Sequence, residues 1–278
     1  RNDVVNSDDY RAYVGGTSGL IYGYVNDGFY TVADFESFDS KSRTWKLKEG
    51  VVDSSPLSDT PRPGNAKFKK LTPVDPNSTN PYQLTEADRT IIGNTTPKFS
   101  GGFGLNATYK GFDMSMFFNF MYDFDVLNAN KIMLTTWADN KENNFLMDIA
   151  SDKRWRNFDD MGNEIRYSPE VLAEFNKNAT MWNPTSIGRP ICMSYAVEDG
   201  SFLRLNSATL GYTLPSVWTK KVGLSKVRFY VSGNNLFTLT GYSGYDPEVN
   251  IATGLTPNID YNRYPRSRTY TFGAQLTF

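Results

Sequence analysis

Two carboxylates bracket a proline at Asp246-Pro247-Glu248, and a pair of acids on either side of a glycosidic bond is what sugar hydrolysis needs. An Asp-Pro step is also a turn initiator, and its loop setting favours that use. Other catalytic chemistry is poorly supplied. The chain of 278 residues has no histidine and one cysteine, which excludes histidine-dependent triads and any internal disulfide. Cys192 follows Pro190 with no base close in sequence, so an inert thiol is expected. Asp152, Lys153, Arg154, Arg156, Asp159 and Asp160 surround Trp155 as a mixed cluster, suited to mutual pairing or to setting register against a protein partner. Gly15-Gly16-Thr17-Ser18-Gly19 lacks the lysine and helix of a phosphate loop and reads as a turn. Neither a metal nor a cofactor is expected.

Aromatic rings are the other candidates, because sugar faces stack on them while planar polar groups bond the hydroxyls. Trp137, Trp155 and Trp182 all fall in the segment 125–199 and are the candidate substrate-binding residues. A segment of that length also needs a small core of its own, which buried tryptophans would supply.

The elements that must position these residues are strands. From Thr269 to Phe278 the chain alternates: Tyr270, Phe272, Ala274, Leu276 and Phe278 share one face, and Thr269, Thr271, Gly273, Gln275 and Thr277 share the other. A soluble edge strand so apolar would invite aggregation, whereas a transmembrane barrel wall meets lipid on one side and its lumen on the other. Lys98–Tyr109 repeats the pattern, with Phe99, Phe103 and Leu105 on the apolar face, and Lys110-Gly111 then makes a tight reversal. The expected strands are 98–109, 112–124, 201–213, 226–239 and 269–278. The parity of 201–213 changes midway, which predicts a bulge near Asn206 to Ala208. The expected membrane-facing residues are Phe99, Phe103, Leu105, Tyr270, Phe272, Leu276 and Phe278.

Composition agrees with this class. Aromatics make up 15% of the chain and mean hydropathy is −0.48, and no apolar run is long enough for a membrane helix; alternation hides a barrel's hydrophobicity from window averages. A net charge of −1 from 29 basic and 30 acidic residues leaves no electrostatic footprint for nucleic acid. Connections alternate between short (110–111, 214–225) and long (125–199, 240–268), as outer-membrane barrels alternate periplasmic turns with extracellular loops. Five strands cannot close, so the fold class expected is all-β, the C-terminal portion of a large antiparallel transmembrane barrel. Residues 1–97 would be mainly extracellular loop, with Gly19–Val25 and Gly28–Val32 as possible short strands, and a secretory signal would lie upstream of Arg1.

Several runs, taken together, resemble one family. They are Val197-Glu198-Asp199-Gly200-Ser201-Phe202-Leu203-Arg204-Leu205 with Leu210-Gly211-Tyr212-Thr213-Leu214-Pro215, then Val227 to Phe237, Gly244 to Asn250 and Tyr264 to Gly273. Upstream, Gly19 to Gly28 and Asp88-Arg89-Thr90-Ile91-Ile92-Gly93 follow in the same order. The chain resembles the C-terminal barrel of SusC/RagA-type TonB-linked outer-membrane transporters of Bacteroidetes. The resemblance implies import of oligosaccharides or peptides across the bacterial outer membrane, with a SusD-like surface lipoprotein as lid. Energy would come from TonB through an N-terminal region not shown. The stretch Thr72 to Asp88 departs from the family's Asp/Gly-rich, calcium-loop-like pattern, which argues against a cation site there. Two alternatives stay open: a glycan hydrolase using loop carboxylates, and a soluble glycan-binding β-sandwich.

Overall fold

The computed structural model describes residues 7–58, 60–136, 145–150, 152–187, 189–249, 256–261 and 264–278. Five antiparallel strands form its main sheet: β1 (Phe99–Tyr109), β2 (Phe112–Tyr122), β3 (Phe202–Thr213), β4 (Lys226–Thr240) and β5 (Thr269–Thr277). They lie side by side in chain order. Successive connections therefore fall at opposite ends of the sheet, 110–111 and 214–225 at one, 123–201 and 241–268 at the other. The β1–β2 hairpin is tight because Lys110 and Gly111 both take positive φ, 46° and 87°, the geometry of a two-residue turn whose twist matches the flanking strands.

Register runs unbroken between β1 and β2 and between β4 and β5. On both sides of β3 it slips between Leu205 and Ser207. Against β2 Asn206 is one extra residue, and against β4 it faces two, Asn235 and Leu236; the irregularity lets Leu203 and Leu205, then Ala208, Leu210 and Tyr212, share a face despite opposite parity.

Short strands build a second region around the long connections. Leu20–Gly23 lies between Tyr10–Arg11 and Thr90–Asn94, inside the segment Gly19–Val25 expected to be extended. The second candidate, Gly28–Val32, is corrected: the strand is Asn26–Phe29, paired with Ala66–Phe68, and a 3-10 turn begins at Val32. Gly28, at φ 77°, lies inside this strand, where its register with Ala66–Phe68 slips. Among the described residues, no strand before Phe99 joins the main sheet. Asp125–Asn128 pairs with Val197–Asp199 on one side and Ile259–Asp260 on the other, tying both long connections together.

This region has the ordinary core that the sheet lacks. Tyr24, Phe68, Leu84, Ile149, Trp182, Ile187 and Met193 pack in one cluster, drawing on segments far apart in sequence. Phe124, Val126, Phe202, Tyr242 and Val249 form a junction between the ends of the strands and the loops.

Candidate functional site

Pairing sorts the side chains of the main sheet into two faces. One row runs Leu105, Met116, Ala208, Gly233, Tyr270 and the next Ala107, Met114, Leu210, Val231, Phe272. At the short-connection end, Tyr109, Phe112, Tyr212 and Phe229 make an aromatic row, with the Phe112 and Tyr212 rings 4.5 Å apart. Phe99, Phe103, Leu105, Tyr270, Phe272, Leu276 and Phe278 are all exposed, Phe272 at 81%. A contiguous apolar surface of this extent is costly in water and natural in hydrocarbon.

The opposite face is mainly polar, with Phe117 and Met121 as apolar members on β2. Its rows include Asn106, Ser115, Thr209, Ser232 and Thr271, with a hydrogen bond of 2.9 Å between the Thr209 and Ser232 hydroxyls. Asp113 stands one row lower and Arg228 two, and they form an ion pair, Arg228 Nε donating to Oδ1 at 2.9 Å. The guanidinium fits because Gly211 lies beneath it: a Cβ there would come 2.4 Å from Nη2. These two charges were not singled out from sequence, although an acid and a base on the polar parity of otherwise apolar strands were the available signal.

Where the strands meet the loops, Arg204 is 2% exposed and donates to Asp246 Oδ1 at 2.5 Å, with Glu248 3.6 Å away. Glu248 also accepts from Arg266 at 2.7 Å. Burial opposes ionisation of Asp246, but the Arg204 hydrogen bond, with the Glu248 backbone N–H, outweighs it and holds the carboxyl below its ordinary value. The Asp246/Glu248 pair is thus committed to arginines and to closing a turn. Close by, Tyr242 donates to Asp260 Oδ2 at 2.6 Å.

In the loop region, Asp88 is 0% exposed and accepts from the backbone N–H groups of Leu71, Thr72 and Thr85 at 2.9, 2.7 and 2.8 Å and from both threonine hydroxyls. Lys70 stands 3.4 Å from its carboxylate. Burial works against the charge, yet the hydrogen bonds led by Thr72 dominate and hold its carboxyl well below the usual range. Arg89 turns the other way, donating to Asp9 and to the Tyr22 carbonyl, each at 2.7 Å. Among the described residues no group of acids, cysteines or histidines could hold a metal ion. Cys192 is buried, and burial pushes its thiol up and keeps it protonated.

Of the three tryptophans, Trp182 is 2% exposed, with its Nε1 donating to the Thr135 carbonyl at 3.2 Å and its ring edge-on to Tyr195. Trp155 is 3% exposed, packed with Ile165 and Leu172 and borders a cleft of about 340 Å³. Trp137 lies outside the described residues. Within the charge cluster around Trp155, Arg156 pairs with Asp160 at 2.7 Å, while Asp159 accepts from Asn163 Nδ2 at 2.9 Å and Arg154 donates to the Ile149 carbonyl at 3.2 Å.

A twisted antiparallel meander with one lipid-compatible face, one hydrogen-bonded polar face and long connections at a single end is the wall of a transmembrane β-barrel. No family model matches the chain. Individual relatives do. TonB-dependent receptor P3 of Formosa agariphila is 34% identical over 266 residues, 94% of this chain and 22% of that protein. TonB-dependent receptor SusC of Bacteroides thetaiotaomicron is 38% identical over 88 residues, 30% of this chain and 8% of that one. The fold also matches a chain in the structure of the RagAB peptide transporter, with a TM-score of 0.57 at 22% identity, over 95% of this chain and 23% of that one. The RagAB peptide importer in its open-open state gives a TM-score of 0.53 at 22% identity, over 93% and 22%. The chain belongs to the TonB-dependent receptors, proteins of the bacterial outer membrane. It spans 22% of the length of the first of these relatives.

Proposed function

We propose that the chain is the C-terminal barrel portion of a TonB-dependent outer-membrane importer of oligosaccharides or peptides, and has no enzymatic role. The observation that carries this reading is the two-faced sheet: apolar rows from Leu105 to Tyr270 and Ala107 to Phe272 on one side, the Asp113–Arg228 pair and its hydroxyl rows on the other. In this reading the long connections are extracellular and carry a SusD-like lipoprotein as lid, while TonB acts through a region N-terminal to this chain. The relatives' names support TonB dependence, and peptide import is named for the RagAB neighbour. Two measurements test the proposal. Removing the gene should abolish energy-dependent uptake of one class of oligomer, and the tagged protein should co-purify with a surface lipoprotein from detergent-solubilised outer membranes. Unchanged uptake of every oligosaccharide and peptide offered would overturn it.

A further inference from the structure

We propose that the connection 214–225 is a membrane-interface anchor that binds the headgroups of anionic phospholipids. The inference rests on the outer-membrane reading above, in which the short-connection end of the sheet borders the periplasmic leaflet. Of the two short connections, 110–111 reverses the chain with two residues. The other, 214–225, inserts a short helix, Ser216–Thr219, and a 3-10 turn, Lys220–Val222, closed by Gly223 at φ 75°. This extra length presents an apolar knuckle, because Val217, Trp218 and Val222 are all exposed. Such a surface is a liability in water, whereas at a lipid–water boundary it is favourable, tryptophan above all.

Burial on the neighbouring strand shows to which side the knuckle folds. Val227 of β4 pairs with Leu276 on the outward, apolar face. Leu276 and Phe229 on that face are 51% and 52% exposed, yet Val227 is only 6% exposed. The short helix packs against β4, and the Leu214 N–H donates to the Val227 carbonyl at 2.9 Å. The connection therefore covers Val227 from the lipid-facing side of the wall and extends the aromatic row of Tyr109, Phe112, Tyr212 and Phe229.

The same rim is basic. Its connections are joined, since Thr213 N–H donates to the Gly111 carbonyl and Ser225 N–H to the Thr277 carbonyl, each at 2.8 Å. Among residues 108–113, 211–228 and 273–278 the one acidic side chain is Asp113, and it is committed to Arg228, with Lys226 adding to the positive field around it. The exposed Lys110, Lys220 and Lys221 thus face no free acidic side chain on their own rim. Lys110 Nζ lies 5.2 Å from the centre of the Tyr109 ring, which sets its charge beside the aromatic row. Ammonium groups around an apolar knuckle match a phosphate headgroup above its acyl chains: the indole and valines enter the boundary and the lysines meet the phosphates. A zwitterionic headgroup would satisfy the apolar half and leave the lysines without counter-charge.

The test uses the full-length transporter in vesicles, with a bimane label on Val222→Cys in a background without other exposed cysteines; Cys192 is buried and does not take the label. Brominated phosphatidylglycerol or brominated phosphatidylcholine, each mixed at rising fraction into phosphatidylcholine, quenches the label where it contacts lipid. Phosphatidylglycerol should be preferred at this site by at least about fivefold, the effect of one lysine at an anionic surface, and the preference should shrink as salt is raised. Replacing the lysines together, Lys110→Gln, Lys220→Gln and Lys221→Gln, should bring the preference to about one while quenching by phosphatidylcholine persists. The same label on Phe272→Cys should be quenched equally by both lipids, and in the lysine variant it reports that the wall is still inserted. Absence of quenching at 222 beside normal quenching at 272, equal quenching at 222 by the two lipids, or an unchanged preference in the lysine variant would overturn the proposal. Absence of quenching at 272 as well would instead refute the barrel reading beneath it, and loss of uptake with the preference intact leaves the anchor standing.

Discussion

Arg228 on β4 reaches over Gly211 of β3 to Asp113 on β2, so a single ion pair spans three strands on the polar face. The glycine is what makes the crossing possible, since any side chain would occupy the place of the guanidinium. Asp113→Asn and Arg228→Gln should each lower the urea midpoint of the folded barrel, and the double variant should be no worse than the poorer single one. That non-additivity is the signature of a direct pair. Raising salt should shrink the effect. Strictly additive losses in the double-mutant cycle would mean the two charges act separately.

The outward face makes a sharper demand. Lysine at Phe272 or Leu276 should cost about 2 to 4 kcal/mol where the site is at mid-bilayer depth, and less near an interface. Phe272 is the more exposed of the two and pairs with Val231 in a row that is apolar from end to end. Equilibrium unfolding in lipid vesicles measures this directly. Folding indifferent to both substitutions would remove the bilayer from that face.

Asp88 couples the loops to pH. Its carboxyl is lowered in the folded protein, so its stabilising contribution is complete above the unfolded value of about 3.9 and is lost as pH falls through that value toward the folded one. Protection factors of the Leu71, Thr72 and Thr85 amides, corrected for the intrinsic slowing of exchange in acid, should therefore fall on acidification below about pH 4, and not between pH 6 and 8. Asp88→Ala leaves those three N–H groups without their acceptor and the buried Lys70 without its counter-charge, and should destabilise the loop region by about 3 to 5 kcal/mol at neutral pH. Amide protection at Thr72 that is indifferent to both acid and the substitution would deny Asp88 this role.

How much of this could be read from sequence depended on the range over which each signal acts. A strand in a barrel wall repeats every two residues, so Phe99, Phe103, Leu105, Tyr270, Phe272 and Leu276 announce their face from their own neighbours. The parity change in β3 pointed to the irregularity now found between Leu205 and Ser207. The loop region has no such period. Trp182 packs with Phe68 and Leu84 from another part of the chain, and Arg204 finds Asp246 42 residues on. The cleft around Tyr167, with Arg43, Arg62 and Arg166 on its walls, is assembled from residues 43–45, 60–63, 157, 166–167 and 172. None of these encounters leaves a local mark, which is why the tryptophans stood out as single residues and the arginines around Tyr167 did not.

The flanks of the main sheet have a consequence for assembly. Among the described residues, β1 and β5 each hydrogen-bond to one neighbour only, and in hydrocarbon every backbone amide or carbonyl left unpaired costs several kcal/mol. These five strands therefore have no stable place in a bilayer as a patch; they can enter it only while being sewn to further strands along both borders. Wherever these strands meet hydrocarbon, the borders of β1 and β5 must therefore be paired.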